Sequence, residues 1–120
     1  MVYESSIPIR GEEYPIVFNG YALREIQNKF GKLANLKTAM VVDEEPNFEA
    51  ISNVASILLE AGQRYCKTVG KDCPPPLRPW EDVLDLSDMS LLEKLFETIS
   101  KGMEREIETV SKNSEAKQTN

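Results

Sequence analysis

The sequence predicts a mainly helical α+β domain: an N-terminal β-hairpin over about residues 7–18, a short helix, and two long helices of antiparallel type. Three observations predict it. Tyr14, Ile16 and Phe18 alternate with Pro15, Val17 and Asn19, which is the period of a strand. Ala22, Ile26 and Phe30 then recur every fourth residue, which is the period of a helix. Two later stretches, residues 48–69 and about 90–107, carry apolar stripes at intervals of three and four.

The first strand is expected over residues 7–10, with Ile7 and Ile9 on one face and Gly11 supplying the turn. Pro15 lacks a ladder donor, which confines the second strand, residues 14–18, to an edge or a two-stranded ribbon. A lone hairpin is marginal in water, so its apolar face must pack on helices. Asn19 is a suitable N-cap and Gly31 a suitable stop for the short helix between them. Leu33, Leu36 and Met40 fit a further helical turn, and VVDEEPN, with Pro46 as a breaker, reads as an acidic loop.

Asn47 then caps a helix over residues 48–69, which Gly70 ends. Phe48, Ile51, Val54, Ala55, Leu58, Ala61, Tyr65, Cys66 and Val69 form its stripe, and Ile57 and Leu59 widen it, so it is expected to be central. Gly62 inside it costs about 1 kcal/mol against alanine and implies close approach of a neighbouring helix. KDCPPPLRP is a connector stiffened by Pro74, Pro75 and Pro76, and Pro79 opens a short helix with Trp80, Val83 and Leu84 facing inward. The last helix starts near Ser87, Asp88 or Ser90, where Ser90 with Glu93 fits a capping box. Its stripe runs through Leu91, Leu92, Leu95, Phe96, Ile99, Met103 and Ile107 and thins after Met103. Residues 1–108 read as one domain and 109–120 as a disordered tail.

At 120 residues, 41% hydrophobic and 28% charged, the chain has the composition of a single soluble domain. Its net charge of −6, without a Lys/Arg cluster, argues against nucleic acid and against an anionic membrane surface. No apolar run has the length of a membrane span, and the first residues do not read as a signal peptide. With only Cys66 and Cys73, a reducing cytoplasm is the simplest compartment. There is no histidine, so the commonest general base and metal ligand is missing, and the chain is expected not to be an enzyme.

Each candidate for chemistry has a plainer reading. Cys66 and Cys73 are too few to build a zinc site and read as a small buried helix residue and a free loop thiol, with a disulfide as the minor alternative. Asp43, Glu44 and Glu45, and the set Asp82, Asp85 and Asp88, lack the ligand spacing of a calcium loop and read as solvated charge. The glycines are dispersed, and Ser5, Ser6, Ser56 and Ser100 have no partner base. Trp80 is either an interaction anchor or a clamp holding the connector on the core, and the clamp is favoured. No catalytic, cofactor or metal residue is assigned, no cofactor is expected, and partner-binding residues stay unassigned.

The segment GEEYPIVFN, then Ala22, Leu23, Arg24 and Glu25 in a helix closing at Phe30 and Gly31, resembles tail assembly chaperones of long-tailed bacteriophages, of the Gram-positive phage and prophage type. Residues 48–62, ending in Ala61 and Gly62, resemble the family's central helix. Residues 80–86, WEDVLDL, resemble its segment before the last helix. The likeness covers most of residues 7–108. The insert 71–78, with its triple proline, departs from it.

The resemblance implies a non-enzymatic chaperone in the bacterial host cytoplasm that binds the tape-measure protein and assists tail tube assembly, and that is absent from the finished virion. It further implies a longer form made by programmed frameshift that recruits the tail tube protein. The codons for Ser111, Lys112 and Asn113 permit an adenine-rich slippery run. The rival reading is a small helical adaptor or regulator that binds a host or phage protein through Trp80. The thinning stripe after Met103 could pack on a second copy, as a homo-oligomer, or fray.

Overall fold

The computed structural model describes residues 2–32 and 35–118, without the side chains of Lys37 and of residues 105–118. An N-terminal β-hairpin followed by helices makes the domain α+β, as expected. The hairpin pairs β1 (Tyr3–Ile9) with β2 (Glu12–Phe18), antiparallel, with Ile7 opposite Tyr14 and Ser5 opposite Ile16. It starts four residues earlier than periodicity indicated, because Tyr3 pairs with Phe18 at the open end. Arg10 and Gly11 make the turn, both with positive φ (53° and 83°), which is the twist a two-residue hairpin loop needs. Ile7, Ile9, Tyr14, Ile16 and Phe18 are buried as the alternation predicts. Val17 is buried too, so helices cover both faces of the ribbon near its open end.

Helix α1 (Gly20–Phe30) begins where Asn19 accepts a 3.0 Å hydrogen bond from the Ala22 amide and ends at Gly31 (φ 81°). A short α2 (Leu36–Met40) follows, while Leu33 lies outside the described residues. The acidic segment expected as a loop is instead a tight knuckle, β3 (Val41–Val42) against β4 (Glu45–Pro46), turned by Asp43 and Glu44. The Asn47 amide closes it with a 2.7 Å bond to the Met40 carbonyl.

Helix α3 (Phe48–Val69) has the expected bounds: Asn47 caps it at the Ala50 amide, and Gly70 ends it in the left-handed region at φ 74°. Its middle is buried from Ile51 to Cys66, but Phe48 and Val69, counted in the stripe, are exposed. The stripe overshoots because nothing packs over the helix ends. Gly62 does permit a close approach, though of a strand rather than a helix. A Cβ there would collide with the Pro15 carbonyl of β2. Gly102 plays the same part in α4, against the Phe18 ring.

Beyond the connector, Trp80–Asp82 form a single 3-10 turn, and α4 runs from Met89 to Gln118. Asp88 caps α4 by accepting from the Ser90 amide at 2.9 Å, so the Ser90–Glu93 capping box is not the one used. The backbone of residues 109–118, read from composition as a tail, continues α4 as helix; Ile107 and all side chains from 105 onward lie outside the described ones. The two long helices differ from the expected arrangement in what they pack on. The main contacts of α3 are with β2 and those of α4 with β1, and the ribbon, not a helix pair, is the centre of the fold. Leu91, Leu92, Leu95 and Ile99 of α4 join Ile7, Ile16, Phe18 and the α3 stripe in one core. Among the described residues no helix is long and apolar enough to cross a membrane.

Candidate interaction surfaces

Chemistry-bearing side chains concentrate on the second half of α3, where the connector doubles back along the helix. Gly70 reverses the chain, and the Lys71 amide bonds to the Cys66 carbonyl at 2.9 Å. Cys73 then reaches Cys66 with a Cα–Cα distance of 6.3 Å, and the two form a disulfide. This corrects the expectation of free thiols, and the compartment argument that rested on them falls with it. The pairing depends on the path of the connector, which spacing does not encode. The available signal was a helix-ending glycine four residues after one cysteine and a stiff proline run right after the other.

The connector continues antiparallel to α3. The Pro74 carbonyl accepts from Gln63 Nε2 at 3.2 Å, and the Pro75 carbonyl accepts from the Tyr14 hydroxyl at 3.0 Å. Arg78 donates through Nε and Nη2 to the two oxygens of Glu60, and Trp80 Nε1 donates to Glu60 Oε1 at 2.8 Å. Residues 60, 63 and 66 lie three apart and therefore share one face, which explains how a straight segment meets all three. Arg78 foremost, with Trp80 and Arg64 adding to it, holds the Glu60 carboxyl below its ordinary range despite partial burial. Burial pushes the Tyr14 phenol up, helped by Glu12 and opposed by Arg10.

Trp80 is only 3% exposed, and its ring meets Tyr14 edge to face at 5.6 Å between centroids. It is the clamp, and its ring is not offered to a partner. Beside it, the Arg64 guanidinium stacks 4.1 Å from the centre of the Tyr21 ring, a contact that spacing alone could not supply. Gln63, a polar residue within the apolar stripe, was the one sequence signal that this flank of α3 meets main chain.

The remaining candidates stay apart. Among the described residues no three Asp, Glu or Cys side chains stand close enough to hold a metal ion. Asp85 binds the Ser87 amide and hydroxyl, which lowers its pKa, and Asp88 caps α4, so that set closes local turns. Ser6 donates to Glu13 at 2.9 Å and has no catalytic neighbour.

The other end of α3 is different. Val41, Val42 and Phe48 are 42%, 51% and 49% exposed, three large apolar side chains within eight residues. Of the three, Val42 lines a shallow cleft of about 230 Å³, together with Phe30, Ala39, Ala50 and the polar Asn47, Glu49 and Asn53. Glu49 lines it, Glu45 lies opposite Val42 in the knuckle, and Asp43 and Glu44 make the turn between; all four are exposed and none is in an ion pair with a described side chain. Asp43 and Glu44 both sit at positive φ (53° and 67°), where Asn and Gly are the usual residues. In comparison with known proteins, no family model, no curated protein and no solved structure matches this chain.

Proposed function

We propose that this chain is a non-enzymatic tail assembly chaperone of a long-tailed bacteriophage or prophage, acting in the bacterial host cell. It would bind the tape-measure protein and assist tail tube assembly without entering the virion. The observation that carries a binding role is the exposed apolar surface around the start of α3, where Val41, Val42 and Phe48 stand open and Val42 lines a cleft. An aggregation-prone helical client needs such a surface, and the acidic total charge keeps a protein that displays one from self-associating. The choice of client rests on the motif likeness over residues 7–108. Two long helices fit that likeness in number, although here the ribbon separates their main contacts. The adaptor reading loses its anchor, since Trp80 is covered.

The test is co-expression with the tape-measure protein encoded downstream. A complex and a gain in client solubility are expected; unchanged solubility and no complex would defeat the proposal. In the gene, a slippery run at the codons for residues 111–113 is expected if the longer form that recruits the tail tube protein exists.

A further inference from the structure

We infer that the corner made by α2, the β3–β4 knuckle and the first turn of α3 docks a segment of another protein that carries large apolar side chains flanked by Lys or Arg. The inference deepens the proposed binding role and rests on it only in treating this chain as a binding protein; the identity of the client does not enter.

Two features of the corner converge. The first is apolar surface without a cover. Val42, about half exposed, lines a cleft with room for the tip of one large side chain, and Phe48, also about half exposed, stands in the first turn of α3 between Asn47 and Glu49, which both line it. Ile51, Val54, Ala55 and Leu58, further along the α3 stripe, are buried. The second is charge. Glu49 lines the cleft, Glu45 lies opposite Val42 in the knuckle, Asp43 and Glu44 turn it, and no described cation is paired with these four carboxylates. A helix start accounts for Glu49, which complements the dipole of α3, but not for the three at the knuckle.

The charge selects the occupant. Carboxylates beside an apolar patch attract Lys and Arg and repel acidic surfaces. A second copy of this chain would bring a net charge of −6 to the same place, so a different protein fits the surface better than self-association does. The preferred ligand is a short amphipathic segment with an apolar side chain in the cleft and basic residues over the knuckle.

The experiment uses the full chain, labelled with 15N, and three synthetic peptides of equal length built from Leu and Lys, Leu and Glu, or Ser and Lys. The Leu–Lys peptide is expected to shift backbone amides within residues 39–53 and to bind at least tenfold more tightly than the other two. Phe48→Ser, and separately Glu44→Lys with Glu45→Lys, should each weaken it about tenfold while amides near Trp80 keep their positions.

Equal binding by the Ser–Lys or Leu–Glu peptide would overturn the inference. So would shifts confined to another face, unchanged affinity in Phe48→Ser, or a native dimer that Phe48→Ser dissociates. A tape-measure complex that survives Phe48→Ser would remove this surface and leave the chaperone proposal standing. Peptide binding at the corner without any tape-measure complex would do the reverse.

Discussion

The two ends of α3 are built on opposite plans. At its C-terminal half the connector returns along the helix, and Glu60, Gln63 and Cys66 are each joined to it, by ion pair, hydrogen bond and covalent bond. Trp80 and Tyr14 close that end from the ribbon side. At the N-terminal end Phe48 is open, four carboxylates lack described cations, and the preceding turn is held in an unfavourable conformation. One helix thus has a flank where interactions are completed within the chain and a first turn where they are not, while Val69 in its last turn is as open as Phe48. The contrast teaches that chemically rich residues need not mark an open surface: here the tryptophan, the cysteines and the best ion pair serve the fold, and the plain Val–Val–Asp–Glu–Glu–Pro segment leaves two large apolar side chains exposed.

The sharpest way to break the contrast is Trp80→Ala. Removing a buried ring that also donates to Glu60 should cost about 3–5 kcal/mol, read as a lower urea midpoint. A loss under about 1 kcal/mol would mean that the connector is not anchored there. Next comes the disulfide. It closes a loop across a sequence separation of seven, for which chain entropy implies about 2–3 kcal/mol, so Cys66→Ser with Cys73→Ser should unfold correspondingly earlier. Treating the unaltered protein with a dithiol reductant should give the same midpoint.

A smaller effect of opposite sign is expected at the other end. Glu44→Gly relieves a left-handed non-glycine residue and should stabilise the fold by about 1 kcal/mol in the same assay, with weaker binding of any basic partner. The least effect should come from titrating Glu60. Its folded pKa is lowered, so its stabilising contribution is complete above the ordinary carboxylate range and is lost as pH falls through the folded value. The melting temperature of the unaltered protein should therefore exceed that of Glu60→Gln at neutral pH, with the gap narrowing in acid. A gap independent of pH would mean that the carboxylate charge is not what Arg78 and Trp80 use.

Local chemistry was legible and path was not. The bounds of α3 follow from Asn47 and Gly70, which act on amides and carbonyls a few residues away. The ribbon was visible in the alternation around Ile7, Ile16 and Phe18. Periodicity could not say whether the ends of a stripe are covered, so Phe48 and Val69 were assigned to a core that does not reach them. The β3–β4 knuckle was hidden because Asp-Glu is not a turn signal. The disulfide and the grip on Glu60 depend on a connector that reverses and lies back on its own helix, a long-range fact at which only Gly70, the proline run and Gln63 hint. The partner of Gly62 was misassigned for a similar reason: the glycine announces a close neighbour without saying which.

The covalent join between Cys66 and Cys73 has a mechanical consequence. If the chain is pulled from its two ends, the load passes through the sulfur bridge and bypasses residues 67–72. The last turn of α3 beyond Cys66 then carries no tension, and peeling of the helix under load starts at Cys66 instead of Val69 while the bridge is intact. A force-extension trace of the oxidised chain should be shorter than that of the reduced chain by the contour of those six residues, about 20 Å.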